Sequence, residues 1–182
     1  LADPASYATH PEFTSRAVPA QTARSAQLSA DDDDDESSPL AEYLADRLIE
    51  KAGNVGIVKI SGSLVSDEGF QNLWFDEVAY SSISRALKVL AEDSAVQSIL
   101  TVWDTPGGDA SGINDLGMFI KDVNKVKPVH AWTGTMALSA GYWGAACCKS
   151  VRSSDMGETG SIGAVAKFRS YARLLQEEGI DT

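Results

Sequence analysis

The chain has 182 residues, of which 43% are hydrophobic and 23% charged; this is the size and composition of one globular domain, and it excludes a wholly disordered or collagen-like chain. Its 26 acidic and 15 basic residues give a formal net charge of −11, which disfavours nucleic acid as a partner because phosphate binding needs a concentrated positive surface. No apolar stretch approaches the ~20 residues that cross a bilayer, so no membrane segment is predicted.

The cysteines and histidines predict neither a disulfide nor a metal site. Cys147 and Cys148 are adjacent, a spacing unsuited to an unstrained mutual disulfide or to a CxxC metal clip. The two histidines, His10 and His130, lie far apart along the chain. We therefore expect free thiols, no metal and no cofactor.

Residues 1–38 are expected to form a disordered acidic leader. They are rich in Ala, Ser, Thr, Pro and Asp, and residues 31–36 are all acidic. Such a composition cannot bury enough apolar surface to offset its ordering entropy. A solvated spacer is the favoured interpretation, and a partner-binding tail is the alternative. Residues 39–182 are expected to form one domain, truncated at its C-terminal end.

Strands and helices alternate after the leader. A first helix is predicted from Pro39 up to Gly53, with Leu40, Tyr43, Leu44 and Leu48 at helical spacing. Strands are predicted over 55–60, 96–102, 129–134 and 150–153. Two helices between them are predicted from the apolar stripes Ile83, Ala86, Leu87 and Leu90, then Ile113, Leu116, Ile120 and Val123. A last helix is predicted around Tyr171, Leu174 and Leu175. This alternation predicts an α/β fold with a parallel sheet.

A glycine pair follows the second predicted strand, within the sequence TPGGD at 105–109. Paired glycines adopt positive φ and let a substrate approach bare backbone N–H groups, as an oxyanion-binding site requires. The alternative is an ordinary turn between a strand and a helix.

Ser139 stands among small residues just before an apparent helix. A serine there is exposed at a helix N-terminus, where the dipole and free N–H groups stabilise negative charge developing on an attacked carbonyl. Ser139 is therefore a candidate nucleophile, although it lacks the GxSxG frame of α/β-hydrolases. A helix N-cap is the alternative role.

Three motifs in this order, TPGGD (105–109), SAGYW (139–143) and GSIG (160–163), resemble the signal peptide peptidase A family of serine peptidases. That family shares the crotonase-like fold with the proteolytic subunit of Clp protease. The resemblance covers residues 55–182. It implies an α/β, crotonase-like fold, which is a repeated ββα superhelix with a mainly parallel sheet.

Applied residue by residue, the resemblance implies that Ser139 is the nucleophile of a Ser-Lys dyad. The backbone N–H groups of Gly108 and Ala140 would form the oxyanion hole. The substrate-binding residues would come from the glycine turn and the GSIG stretch, at Gly107, Gly160, Ser161 and Gly163. In this family an extended peptide lies beside the active-site strands, as backbone pairing predicts.

The base of the dyad is expected beyond the end of this sequence. The resemblance implies a neutral lysine about fifty residues past Ser139, and the sequence stops at Thr182. Lys167 comes too early, between GSIG and the last predicted helix, and is expected to be solvated. Lys59 lies in the first predicted strand, and His130 lies on a strand nine residues before the serine, where a structural role is favoured.

The favoured function is a serine endopeptidase that acts on polypeptides. The leading role is a phage prohead protease that cleaves scaffold and capsid proteins during head maturation in the host cytoplasm. The alternative is a bacterial signal peptide peptidase that degrades leftover signal peptides and is membrane-associated through a segment outside this sequence.

Two other classes remain open. The first is a catalytically incomplete assembly module on the same fold, since a homo-oligomer is expected and exposed aromatic residues would serve subunit contacts. Candidate contact residues are Trp74, Phe75, Tyr142 and Trp143, with core packing as the alternative. The second is a crotonase-type acyl-CoA enzyme, against which Ser139 argues because that chemistry uses no serine nucleophile.

Overall fold

A computed structural model describes residues 39–66, 76–166 and 170. The helices are α1 (Pro39–Asp46), α2 (Tyr80–Glu92), α3 (Ile113–Val126) and α4 (Ala140–Ala146). The strands are β1 (Ile49–Ala52), β2 (Val55–Ser61), β3 (Ser63–Val65), β4 (Glu77–Ala79), β5 (Ser98–Thr105), β6 (Val129–Leu138), β7 (Ser150–Ser153) and β8 (Glu158–Gly160). The predicted leader and the last predicted helix lie outside the described residues. Within the described ranges, no helix is long and apolar enough to cross a bilayer.

The main sheet has six strands. Five of them follow the order β1-β2-β5-β6-β7, and the sixth, β8, also pairs with β6, beyond the part of β6 that pairs with β7. The β1–β2 pair is antiparallel, whereas β2–β5, β5–β6, β6–β7 and β6–β8 are parallel. The central strands are short apolar runs rich in β-branched residues, as expected for strands covered on both faces. The predicted α/β class with a mainly parallel sheet is confirmed.

The two predicted apolar stripes form the core beneath the sheet. All four stripe residues of α2 and all four of α3 are buried. They pack in one cluster with strand residues that include Ile60, Ile99 and Trp103. The opposite face of the sheet carries a smaller buried cluster, made of Val55, Ile57, Leu100 and Trp132.

The predicted first helix is too long. Helix α1 ends at Asp46, and residues 49–52 form β1 instead, in a hairpin whose turn contains Gly53 at φ 61°. Gly53 therefore lies in the turn between β1 and β2 and does not end a helix. Residues 49–52 become a strand because they pair with residues 55–58 of β2, a contact that helical spacing of leucines does not reveal.

The chain repeats one order of elements: a strand of the main sheet, a short extended segment in the small sheet, and a helix. In the first repeat β2 is followed by β3, which pairs with β4 in a second sheet, and then by α2. In the second repeat β5 is followed by Gly108, which forms a parallel bridge with Leu64 of β3, and then by α3. The glycine turn thus joins the small sheet, and this is the crotonase-like ββα repeat expected from the sequence.

Candidate active site

The two motif turns lie side by side at the carboxyl ends of neighbouring parallel strands, as predicted. Strand β5 ends at Thr105 and β6 ends at Leu138, and Thr105 pairs with Ala137 after a local register shift. A Cβ added to Gly107 would lie 2.7 Å from the Cβ of Ser139 and 2.8 Å from the Leu138 carbonyl oxygen. The glycine turn therefore contacts the serine directly, and a side chain at Gly107 would displace it.

Ser139 occupies a sharp turn between β6 and α4. Its φ of 52° and ψ of −118° lie in a region that residues with a Cβ rarely adopt. The Ser139 N–H donates to the Gly160 carbonyl at 2.8 Å, and its own carbonyl accepts from the Trp143 N–H at 3.0 Å. Within the described residues its side chain makes no capping hydrogen bond to α4, so the N-cap alternative is not supported.

In the glycine turn, one backbone N–H has no acceptor among the residues that the structure describes. The Gly107 N–H donates to the Thr105 hydroxyl at 3.0 Å, and the Gly107 carbonyl accepts from the Leu64 N–H at 2.9 Å. Because a trans peptide points its C=O and N–H in opposite directions, the Gly108 N–H is directed away from Leu64. Gly108 is an exposed residue, as an amide that receives a substrate oxygen must be.

Gly108 is also sterically required. A Cβ at this position would lie 1.8 Å from the Leu64 carbonyl oxygen, closer than any real contact. Each glycine of the TPGGD motif therefore allows a close backbone contact: Gly107 lies against Ser139, and Gly108 lies against β3.

The GSIG stretch supports the nucleophile from the other side of β6. Strand β8 pairs with residues 136–138 of β6, and the Gly160 carbonyl accepts the Ser139 N–H. Ser161 has a φ of 52°, and Ser161 and Gly163 are exposed next to the end of β6. Their predicted part in the substrate-binding wall stays a prediction. The role of Gly160 in holding Ser139 was not predicted.

His130 and Lys59 lie away from Ser139. His130 is at the opposite end of β6, about 30 Å along an extended strand, where its Nδ1 lies 2.7 Å from the Ser150 hydroxyl. Burial, and then the charge of Lys149, lower the pKa of His130. The Lys59 ammonium pairs with Glu50 of β1 at 2.6 Å, on the far side of β2 from β6. Lys167 lies outside the described residues.

Several residues around the turn were missed by the sequence analysis. Leu64, Ser66 and Tyr80 contact the TPGGD segment although each precedes its hydrogen-bond partner there by 29 residues or more. No local pattern marks them, because only the pairing of β3 with the turn brings them there. Thr105 was within reach of sequence reasoning, since a threonine hydroxyl often bonds the amide two residues on.

The cysteines, the possible metal ligands and the aromatic residues singled out in the sequence are considered next. Cys147 and Cys148 are free thiols, and burial raises the pKa of Cys148 to about 12, which keeps that thiol protonated and unreactive. Among the residues that the structure covers, no three His, Cys, Asp or Glu side chains gather as metal ligands. Trp143 is 49% exposed and Tyr142 is half-buried, whereas Trp74 and Phe75 lie outside the described residues.

Comparisons with known proteins agree with the motifs. A sequence profile described as Peptidase family S49 matches residues 121–182. The chain is 30% identical over 135 residues to the capsid assembly protease C of Escherichia phage lambda, which covers 74% of this chain and 31% of that protein. It is 30% identical over 145 residues to a putative signal peptide peptidase SppA of Enterococcus faecium, covering 76% and 41%.

Among solved structures, a probable enoyl-CoA hydratase from Mycobacterium smegmatis matches with a TM-score of 0.47 and 14% identity, over 62% of this chain and 50% of that one. The chain spans less than half of the length of each curated relative above.

Proposed function

Because this chain is a member of the S49 peptidase family, we propose that it carries the active site of a serine endopeptidase with Ser139 as its nucleophile. The observation that supports this most directly is the contact between the strained Ser139 turn and the Gly107–Gly108 turn. It supports the proposal because a serine hydroxyl and a backbone amide with no acceptor among the described residues lie at one end of the sheet. Acyl transfer needs both in one place.

In the proposed reaction the Ser139 hydroxyl attacks the carbonyl carbon of a peptide bond. The N–H groups of Gly108 and Ala140 donate to the oxyanion that forms. Ala140 is the first residue of α4, and an amide in the first turn of a helix has no acceptor within that helix. The peptide C–N bond then breaks, the leaving amine takes up the proton that the base removed from the serine, and water hydrolyses the acyl-enzyme ester.

We propose that a lysine about fifty residues past Ser139, and not Lys167, acts as the base and completes a Ser-Lys dyad. Burial would lower its pKa, so that the neutral amine could take the serine proton. The positions of Lys59 and His130 support this proposal, because one is paired on β1 and the other lies at the opposite end of β6.

Lys59→Met and His130→Gln are each expected to leave kcat/KM for a fluorogenic peptide within about threefold of the unsubstituted protein. Removing the true base would cost about 10²–10⁴-fold, whereas losing the half-exposed Lys59–Glu50 pair costs little. A 100-fold loss in either variant, with an unchanged melting temperature, would assign the base to that residue and end the proposal of an outside lysine.

We propose scaffold and capsid proteins of a phage head as the substrates, cleaved inside the prohead in the host cytoplasm. The similarity to the phage capsid assembly protease supports this choice. Signal peptides are the second candidate, because the similarity to the putative signal peptide peptidase is equally high. The test incubates the purified protein with the scaffold and capsid proteins of its own genome and, separately, with signal peptides. The substrate class that is cleaved identifies the function.

The full-length protein is expected to be a homo-oligomer. Trp143, Ile162 and Val165 are 49%, 80% and 89% exposed, and apolar surface of this kind favours association. Multi-angle light scattering at micromolar concentration should return a mass of several protomers, independent of flow rate. A monomer mass across the concentration series would contradict the assembly expected here.

A further inference from the structure

Asp109 ties the glycine turn to strand β3 with both its backbone and its side chain. Its N–H donates to the Leu64 carbonyl at 2.9 Å. Its carboxylate Oδ2 accepts from the Ser66 N–H at 3.1 Å and lies 3.4 Å from the Ser66 hydroxyl. One residue thus holds β3 on both sides of Val65, directly after the Gly108 amide.

Tyr80 supports Asp109 from helix α2. Its side chain is buried, and its hydroxyl donates to the Asp109 carbonyl at 2.6 Å. The Tyr80 ring also lies under the end of the loop, since a Cβ at Gly112 would lie 3.1 Å from its Cδ2. Burial, and then the Asp109 charge, raise the pKa of Tyr80 to about 12, so the hydroxyl keeps its proton and remains a donor.

These contacts matter because two consecutive glycines restrain their own backbone weakly. A glycine peptide can rotate at little steric cost, and rotation of the Gly107–Gly108 peptide would turn the Gly108 N–H towards β3. Such a rotation breaks the bond from Leu64 to the Gly107 carbonyl. It is resisted further by the bonds of Asp109 to Leu64, Ser66 and Tyr80, which fix the chain directly after Gly108.

We propose that Asp109 and Tyr80 are positioning residues that keep the oxyanion hole preformed, by holding the Gly107–Gly108 peptide with its N–H directed away from β3. This proposal rests on the function proposed above for Ser139. Their proposed role does not involve contact with the substrate. They act through Gly108, whose amide meets the oxyanion that exists only in the transition state and the intermediates next to it.

The test measures kcat and KM of the full-length protein for a fluorogenic peptide. Asp109→Ala is expected to lower kcat about 10- to 100-fold, because a misplaced or missing oxyanion donor costs up to about 10²–10³-fold. KM should stay within about twofold, since the lost interaction is absent from the ground state. Asp109→Asn keeps an oxygen acceptor for Ser66 and should recover kcat to within about threefold of the unsubstituted protein.

Tyr80→Phe removes a single hydroxyl and should lower kcat about fivefold or more, again with little change in KM. Matched controls are Tyr43→Phe, on the exposed face of α1, and Asp122→Ala, on the exposed face of α3. Both controls should keep kcat within about twofold.

The proposal is overturned if Asp109→Ala keeps its kcat, if Asp109→Asn loses as much as Asp109→Ala, or if KM changes in place of kcat. If Asp109→Ala does not fold, Tyr80→Phe decides by the same split between kcat and KM. The proposed function fails in a different way: Ser139→Ala would then cleave the peptide as fast as the unsubstituted protein.

Discussion

Ser139→Ala is expected to lower kcat for peptide cleavage by about 10⁴-fold or more, to the limit of detection. The substitution removes the only atom that would form the acyl-enzyme ester, while the glycine turn and α4 stay in place. KM should change little, because the hydroxyl contributes mainly to the transition state. The measurement is steady-state cleavage of a fluorogenic peptide, together with labelling by a fluorophosphonate probe, which should disappear.

Ser94→Ala is the matched control for this loss. Ser94 is exposed in the turn before β5, at the end of the sheet opposite to Ser139. The kcat/KM of Ser94→Ala should stay within about twofold of that of the unsubstituted protein, since substitutions of exposed residues away from functional or tightly packed positions are nearly neutral. Full activity in Ser139→Ala would overturn the assignment of the nucleophile.

Gly108→Ala is the second substitution with a large expected effect, on both stability and activity. The new Cβ would lie 1.8 Å from the Leu64 carbonyl oxygen and 2.6 Å from its carbon. Backbone atoms cannot yield as a flexible side chain can, so the turn must separate from β3 and lose its hydrogen bonds to Leu64. We expect the free energy of unfolding to fall by about 2–4 kcal/mol and kcat/KM to fall about 10³-fold.

Chemical denaturation and peptide cleavage check the two parts of this prediction. Gly134→Ala is its control, because Gly134 lies on β6 and an added Cβ would have Trp132 Nε1 at 3.7 Å as its nearest neighbour, an ordinary contact. It should fold and cleave within about threefold of the unsubstituted protein. An unimpaired Gly108→Ala would mean that the turn can leave β3 without cost, and the oxyanion hole would need another donor.

Local periodicity was sufficient for the helices that cover the core. The stripes of α2 and α3 repeat at three and four residues, and the helices observed bury those same residues. The parallel order of β2, β5 and β6 also followed from the alternation of strands and helices, since the connections between them are right-handed and local. These features depend on contacts within one element or between consecutive elements.

Periodicity failed where a distant partner decides the conformation. Residues 49–52 were predicted as the end of a helix and form β1, because β2 offers them a hydrogen-bonding edge. Strand β6 was predicted to end at Gly134 and continues to Leu138, because β8 pairs with its last three residues. Met136, Ala137 and Leu138 are not strong strand formers, so tertiary pairing determines the outcome.

The sequence by itself determined the class of fold and the place of the two turns, since TPGGD and SAGYW each come after a predicted strand and, together with GSIG, resemble one family in their order. Only the tertiary structure decided that Gly107 touches Ser139, that Gly160 holds its amide, and that Lys59 and His130 lie elsewhere. The reason is geometric. Parallel strands bring residues more than thirty positions apart to one edge of the sheet, and the direction of a single N–H depends on partners that no local pattern reveals.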